Sequence, residues 1–113
     1  MDSIHSIVIA GATHGNERTG VELVQKWGNC PEKIQKFCPS AKIDFVLSNP
    51  VAMRKNRRYF HQDLNRSFSE KTLAIQGISH CYEVNRAKEL NQMFGPKGEQ
   101  TKTDLLIDIH NTT

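Results

Sequence analysis

SIVIAGATHGNERTG, residues 6–20, passes from a short apolar run into a polar turn and then into what reads as the start of a helix. Ile7, Val8, Ile9 and Ala10 are uninterrupted by polar residues, as expected for a strand covered on both faces, and Gly11 bounds the run. His14 and Glu17 follow three residues apart, where that strand ends. Near the other extremity, LLIDIH (residues 105–110) is a second apolar run closing on a histidine, His110. These two strand-end histidines decide how the intervening residues are read.

Between them the chain alternates. Asn16 to Trp27 has a helical stripe of Val21, Leu23, Val24 and Trp27, with Gly28-Asn29 as a stop. Lys42 to Leu47 is predicted as a strand, with Ile43, Phe45 and Leu47 on one face and Val46 on the other. Ser48-Asn49-Pro50 ends it. Residues 51–69, rich in arginine and asparagine, lack a clear period and are expected to form an irregular functional loop. Residues 70–80 give no clear pattern. Cys81 to Phe94 returns to helix through Val84, Ala87, Leu90 and Phe94, with Gly95-Pro96 as terminator. The polar stretch KGEQTKTD leads into the third strand, LLIDIH. Strands alternating with helices imply an α/β fold with a parallel or mixed sheet flanked by helices and right-handed crossovers. In such sheets ligands collect beyond the carboxyl ends of the strands, where His14 and His110 both fall.

The totals narrow the class further. A chain of 113 residues is one domain at most. Its 37% hydrophobic and 24% charged content is that of a folded globular protein. No apolar run approaches the roughly 20 residues needed to cross a bilayer, and MDSIHSIVIA lacks the basic start and apolar length of a signal peptide. A cytoplasmic protein without membrane partners is expected. Cys30, Cys38 and Cys81 form an odd set with no C-x-x-C pair, arguing for free thiols rather than a disulfide framework or zinc ribbon. The net charge of +3 suits an anionic small ligand as well as nucleic acid.

His14 and Glu17 can face the same way on a first helical turn. Together with His110 they would make three protein ligands and leave a fourth position for water, the composition of a hydrolytic zinc centre. Spacing alone leaves a second reading open. H-x-x-E is common and more often reflects a capped helix start than a metal, and an acidic residue there is favourable through the helix dipole alone.

Longer blocks add to the pair. GATHGNERTG, NPVAMRKNRRYFHQDLNRSF, YEVNRAKELNQMFGPK and LLIDIHNTT occur in the order found in the aspartoacylase and succinylglutamate desuccinylase family, and the chain resembles its aspartoacylase branch. These are zinc hydrolases related in fold to the zinc carboxypeptidases. The resemblance implies one Zn²⁺ held by His14, Glu17 and His110, with Arg58, Asn65 and Arg66 binding substrate. Guanidinium groups suit carboxylates because they donate two parallel hydrogen bonds. The implied reaction is hydrolysis of an N-acyl-L-aspartate, N-acetylaspartate above all, to a carboxylate and L-aspartate. Aminoacylases of N-acyl aromatic amino acids and desuccinylases share the frame. Relatives place the general-base glutamate after the last zinc ligand, so residues 1–113 are expected to be the amino-terminal portion of a zinc hydrolase catalytic domain. Such a portion would be poorly active alone and aggregation-prone. Ala12 stands where relatives often carry a second glycine, a departure that matters only if the backbone there needs positive φ.

The remaining candidates have blander accounts. RKNRR, residues 54–58, could contact nucleic acid, but DLNR follows closely and no nucleic-acid partner is expected. A non-catalytic zinc-binding remnant is the other alternative class. His5, His61 and His80 lack partners by spacing and read as surface or loop histidines. Asp63 and Asp108 flank functional positions, where either could hold an arginine or a zinc-bound imidazole from behind; a simple solvated carboxylate is the equal alternative for Asp63, and a strand-end turn for Asp108. A homo-oligomer is possible on this reading.

Overall fold

The computed structural model describes residues 4–96 and 102–112. Three parallel strands, β1 (Ser6–Gly11), β2 (Lys42–Leu47) and β3 (Leu105–Asp108), form a sheet in the order β2-β1-β3. The apolar run behind β1 makes it the central strand, with Ile7 to Ala10 all buried. Register pairs Ile7 with Ile43 and Leu105, and Ala10 with Val46 and Asp108, so the three strands end nearly level.

Helix α1 (Arg18–Asn29) covers one face. Its Val24 and Trp27 pack with Ile7, Ile9, Ile43, Phe45 and Leu47. Helix α5 (Tyr82–Phe94) belongs to the other, where Ala87 and Leu90 join Leu64, Val46 and Phe94. Connections from β1 to β2 and from β2 to β3 run in opposite directions across the sheet. Right-handed crossovers then put their helices on opposite faces, as observed. Alternation of Ile43, Phe45 and Leu47 against Val46 follows from the period of two in a strand.

Several elements depart from the sequence expectations. Residues 51–69 are not wholly irregular: α3 (Pro50–Arg54) begins where Asn49 caps the Ala52 N–H and Pro50 takes the first helical position, and Leu64–Arg66 form a 3-10 turn. Both are too short to show a period. Helix α1 starts at Arg18, two residues later than expected, and ends at Asn29 within the Gly28-Asn29 stop. Strand β3 ends at Asp108, so His110 lies two residues beyond the ladder. Two single-turn helices, α2 (Glu32–Gln35) and α4 (Glu70–Leu73), had no visible pattern. Much of the expected polar loop KGEQTKTD, residues 97–101, lies outside the described residues. Among the described residues no helix is long and apolar enough to cross a membrane, and all three cysteines are free thiols.

Candidate metal centre

β1 delivers His14 by a short, constrained turn. Ala12 has φ +61°, the left-handed region where a residue with a Cβ is strained. The position therefore does need positive φ, and the alanine adopts it while fully buried. Hydrogen bonds from the N–H groups of Ser48 to Gly11 O (2.8 Å) and of Asn49 to Ala12 O (3.0 Å) hold this turn to the end of β2. Gly11 and Gly20 let β1 and α1 touch backbone to backbone: a Cβ on Gly11 would lie 2.4 Å from the Gly20 carbonyl oxygen.

Glu17 precedes α1 as its N-cap residue, yet its side chain makes no cap hydrogen bond. The capping alternative is not realised. Instead its Oε2 lies 2.6 Å from His14 Nδ1 and its Oε1 2.9 Å from His110 Nδ1. The Asn111 N–H donates to Oε1 at 2.9 Å, while Asn111 Oδ1 accepts from the Thr19 N–H of α1 at 3.2 Å. Residues after β3 thus cap the helix in place of Glu17 and free its carboxylate to face the imidazoles.

Both histidines present Nδ1 to Glu17 and turn Nε2 to another carboxylate. His14 Nε2 is 3.0 Å from Asp63 Oδ1, and His110 Nε2 is 2.9 Å from Asp108 Oδ2. Asp108 is itself held by the Thr13 hydroxyl, which donates at 2.8 Å. A carboxylate behind each ring favours the tautomer with Nε2 protonated and the Nδ1 lone pair directed at the shared space. The rings stand 5.1 Å apart at 61°. One donor atom from each of His14, Glu17 and His110 falls within 4.8 Å of the other two, close enough to share a cation. Two imidazoles and a carboxylate, each imidazole backed by an acceptor, suit zinc.

The charges reinforce one another. Burial pushes the Glu17 carboxyl up, but the hydrogen bond from the Asn111 N–H and the two imidazoles facing it, cationic when protonated, carry it below the usual glutamate value. Burial also opposes ionisation of Asp63, which the Asn65 N–H, His14 and Arg58 overcome. His110 is lowered by burial and raised further by Asp108 and Glu17, for a net rise.

Of the residues expected to bind substrate, Arg58 lies nearest. It lines an open cleft of about 560 Å³ with Glu17 and Asn111, and its guanidinium is 3.6 Å from Asp63. Asp63 therefore holds the arginine and the imidazole at once. Asn65 lines a separate, larger and mainly apolar cavity with Thr13, Asp108, Phe68 and Phe94. Arg66, exposed at the end of the 3-10 turn, lines neither.

His61 has neighbours that spacing did not reveal. It comes close to Cys81 and Glu83 in a second potential donor group. The Glu83 carboxylate and His61 Nδ1 are already engaged, however. Glu83 accepts four hydrogen bonds, two on each oxygen, and His61 Nδ1 accepts from the Tyr82 N–H. A carboxylate has about four lone-pair sites, so this cluster is a hydrogen-bond hub. Glu83 was missed from sequence. Its trace was there: Glu83, Ala87, Leu90 and Phe94 share one helical stripe, and an acid on an apolar stripe demands partners.

Fold and site together define a parallel α/β protein with a two-histidine, one-carboxylate candidate metal centre at the carboxyl edge of its sheet. Residues 3–113 match the Succinylglutamate desuccinylase/Aspartoacylase catalytic domain, and the chain belongs to that family. It is 41% identical over 111 residues to an N-acyl-aromatic-L-amino acid amidohydrolase (carboxylate-forming) of Xenopus laevis, covering 97% of this chain and 35% of the relative. It is 39% identical to an aspartoacylase of Xenopus tropicalis, covering 100% of this chain and 36% of that one. Murine aminoacylase 3 superposes with a TM-score of 0.89 at 39% identity, over 97% of this chain and 36% of that chain. The chain thus spans about a third of the length of these relatives.

Proposed function

We propose that these residues build the metal and substrate-carboxylate part of a zinc-dependent amidohydrolase acting on N-acyl amino acids, with N-acyl-L-aspartate as the first substrate reading. The observation that carries it is the convergence of His14 Nδ1 and His110 Nδ1 on the Glu17 carboxylate, with Asp63 and Asp108 behind the rings. His14, Glu17 and His110 would hold one Zn²⁺. When bound, that ion supplies Lewis acidity and a water ionising near neutral pH. Asp63 and Asp108 orient the imidazoles and keep their Nδ1 atoms free. Arg58, in the cleft beside Glu17, grips a substrate carboxylate, while Asn65 and Arg66, which lie outside that cleft, are assigned to substrate on the family resemblance alone. Glu17, committed to the cation, is not cast as the general base. Free thiols support a reducing, cytoplasmic setting.

The relatives named for N-acyl aromatic amino acids are as similar as the aspartoacylases, which favours aromatic substrates as the second reading. Hydrolysis assays on the chain extended through its natural reading frame separate the two. Aspartate release from N-acetylaspartate, lost in Arg58→Ala through a raised KM, supports the first reading. Release only from N-acetylated aromatic amino acids supports the second. A zinc-loaded extended chain that cleaves neither contradicts both.

A further inference from the structure

Glu83 sits on the first turn of α5 and is wholly buried. Its Oε2 accepts from the Phe60 N–H at 2.7 Å and Asn49 Nδ2 at 2.8 Å, and its Oε1 from the N–H groups of His61 (2.9 Å) and Gln62 (3.1 Å). Three successive backbone donors and one amide thus converge on a single carboxylate. Arg58 lies two residues before this trio and Asp63 immediately after it. The Arg58 carbonyl accepts from the Gly15 N–H at 3.1 Å, next to His14, where no Cβ would fit: one on Gly15 would lie 2.3 Å from the Ala52 backbone. Asn49, the fourth donor, is the residue whose N–H holds the Ala12 carbonyl in the turn leading to His14.

We propose that Glu83 is a positioning residue for the metal centre: touching none of its ligands, it fixes Arg58 and Asp63 against His14 through the backbone of residues 60–62. This rests on the reading of His14 as a metal ligand. An ordinary core role for Glu83 would support the fold uniformly. A positioning role acts on one loop, and through Asp63 on the orientation of one imidazole.

Co²⁺ alone serves as the probe, in the whole chain. Glu83→Gln keeps the shape but turns an acceptor into a donor facing donors. Amide exchange at Gly15 and at Ser67, whose N–H closes the 3-10 turn after Asp63 by donating to the Leu64 carbonyl at 3.0 Å, is expected to quicken about tenfold or more while Ile9 in β1 is unchanged. Co²⁺ affinity should fall by roughly tenfold with an altered visible spectrum, and adding Asp63→Asn should weaken it little further. A folded Glu83→Gln variant with normal exchange at Gly15 and Ser67 and normal Co²⁺ affinity overturns the proposal. So does uniform acceleration including Ile9 with an unchanged Co²⁺ spectrum. If Glu83→Gln does not fold, Glu83→Asp, which retracts the charge by one methylene, carries the same comparison. A native chain that binds no Co²⁺ defeats the metal-centre reading by itself, and exchange at Gly15 and Ser67 then decides whether Glu83 sets the loop.

Discussion

Asp63 shows how much one side chain contributes at the residue scale. Weighed from sequence as a partner for either an arginine or an imidazole, it is both. Replacing it with asparagine keeps the shape but removes the charge behind His14. Zinc affinity in a competition titration is expected to fall about 10- to 100-fold; an unchanged affinity would remove Asp63 from the account. Glu83 makes a prediction through pH. Burial raises its carboxyl, but Asn49 and the N–H groups of Phe60, His61 and Gln62 bring it below the ordinary 4.5. A depressed folded value means its stabilisation is complete above the ordinary value and lost as pH falls through the lowered one. Urea midpoints measured from pH 6 downward should therefore decline less steeply in Glu83→Gln than in the native chain. The three proposed ligands were legible because strand ends and the family blocks coincide. An acid on the apolar stripe of α5 hinted at Glu83, but its partners were not legible, since three of its four donors are backbone N–H groups that no residue type announces.

At the scale of elements, the long periodic segments were readable and the short ones were not. β1, β2, α1 and α5 each carry an apolar face long enough to display its period. α3 and the 3-10 turn hold their shape through Asn49 and Asp63 side chains that accept from Ala52 and Asn65 N–H groups, contacts invisible to periodicity. His110 was expected within a strand. It lies past Asp108 because the chain leaves the ladder to reach Glu17. The tight β1–α1 contact yields its own prediction. A Cβ on Gly20 would lie 2.7 Å from the Ile109 carbonyl oxygen and 2.9 Å from the Gly11 Cα. Gly20→Ala must push α1 away from Gly11 and Ile109, on the two segments that lead to His14 and His110. A loss of about 1–3 kcal/mol in urea denaturation is expected, together with weakened zinc binding. A stability equal to the native chain would show that the contact yields freely.

Over the whole molecule, the sheet leaves β2 and β3 as edges among the described residues. Leu105, Leu106 and Ile107 of β3 are 39%, 54% and 43% exposed. An exposed apolar edge strand invites pairing with another chain. The isolated chain is therefore expected to self-associate in sedimentation experiments, and Leu106→Lys to reduce that association. A monomer with a sharp cooperative melt would argue otherwise. This edge stands beside the site: the residues that follow β3 cap α1 and complete the donor set. The proposed function depends on that set closing around one ion. Zinc content by atomic emission after exhaustive dialysis, measured on the native chain and on His14→Ala and His110→Ala, tests this most directly. One zinc per native chain and essentially none in either variant is the expected result. A native chain without zinc, or variants that keep a full equivalent, would contradict it.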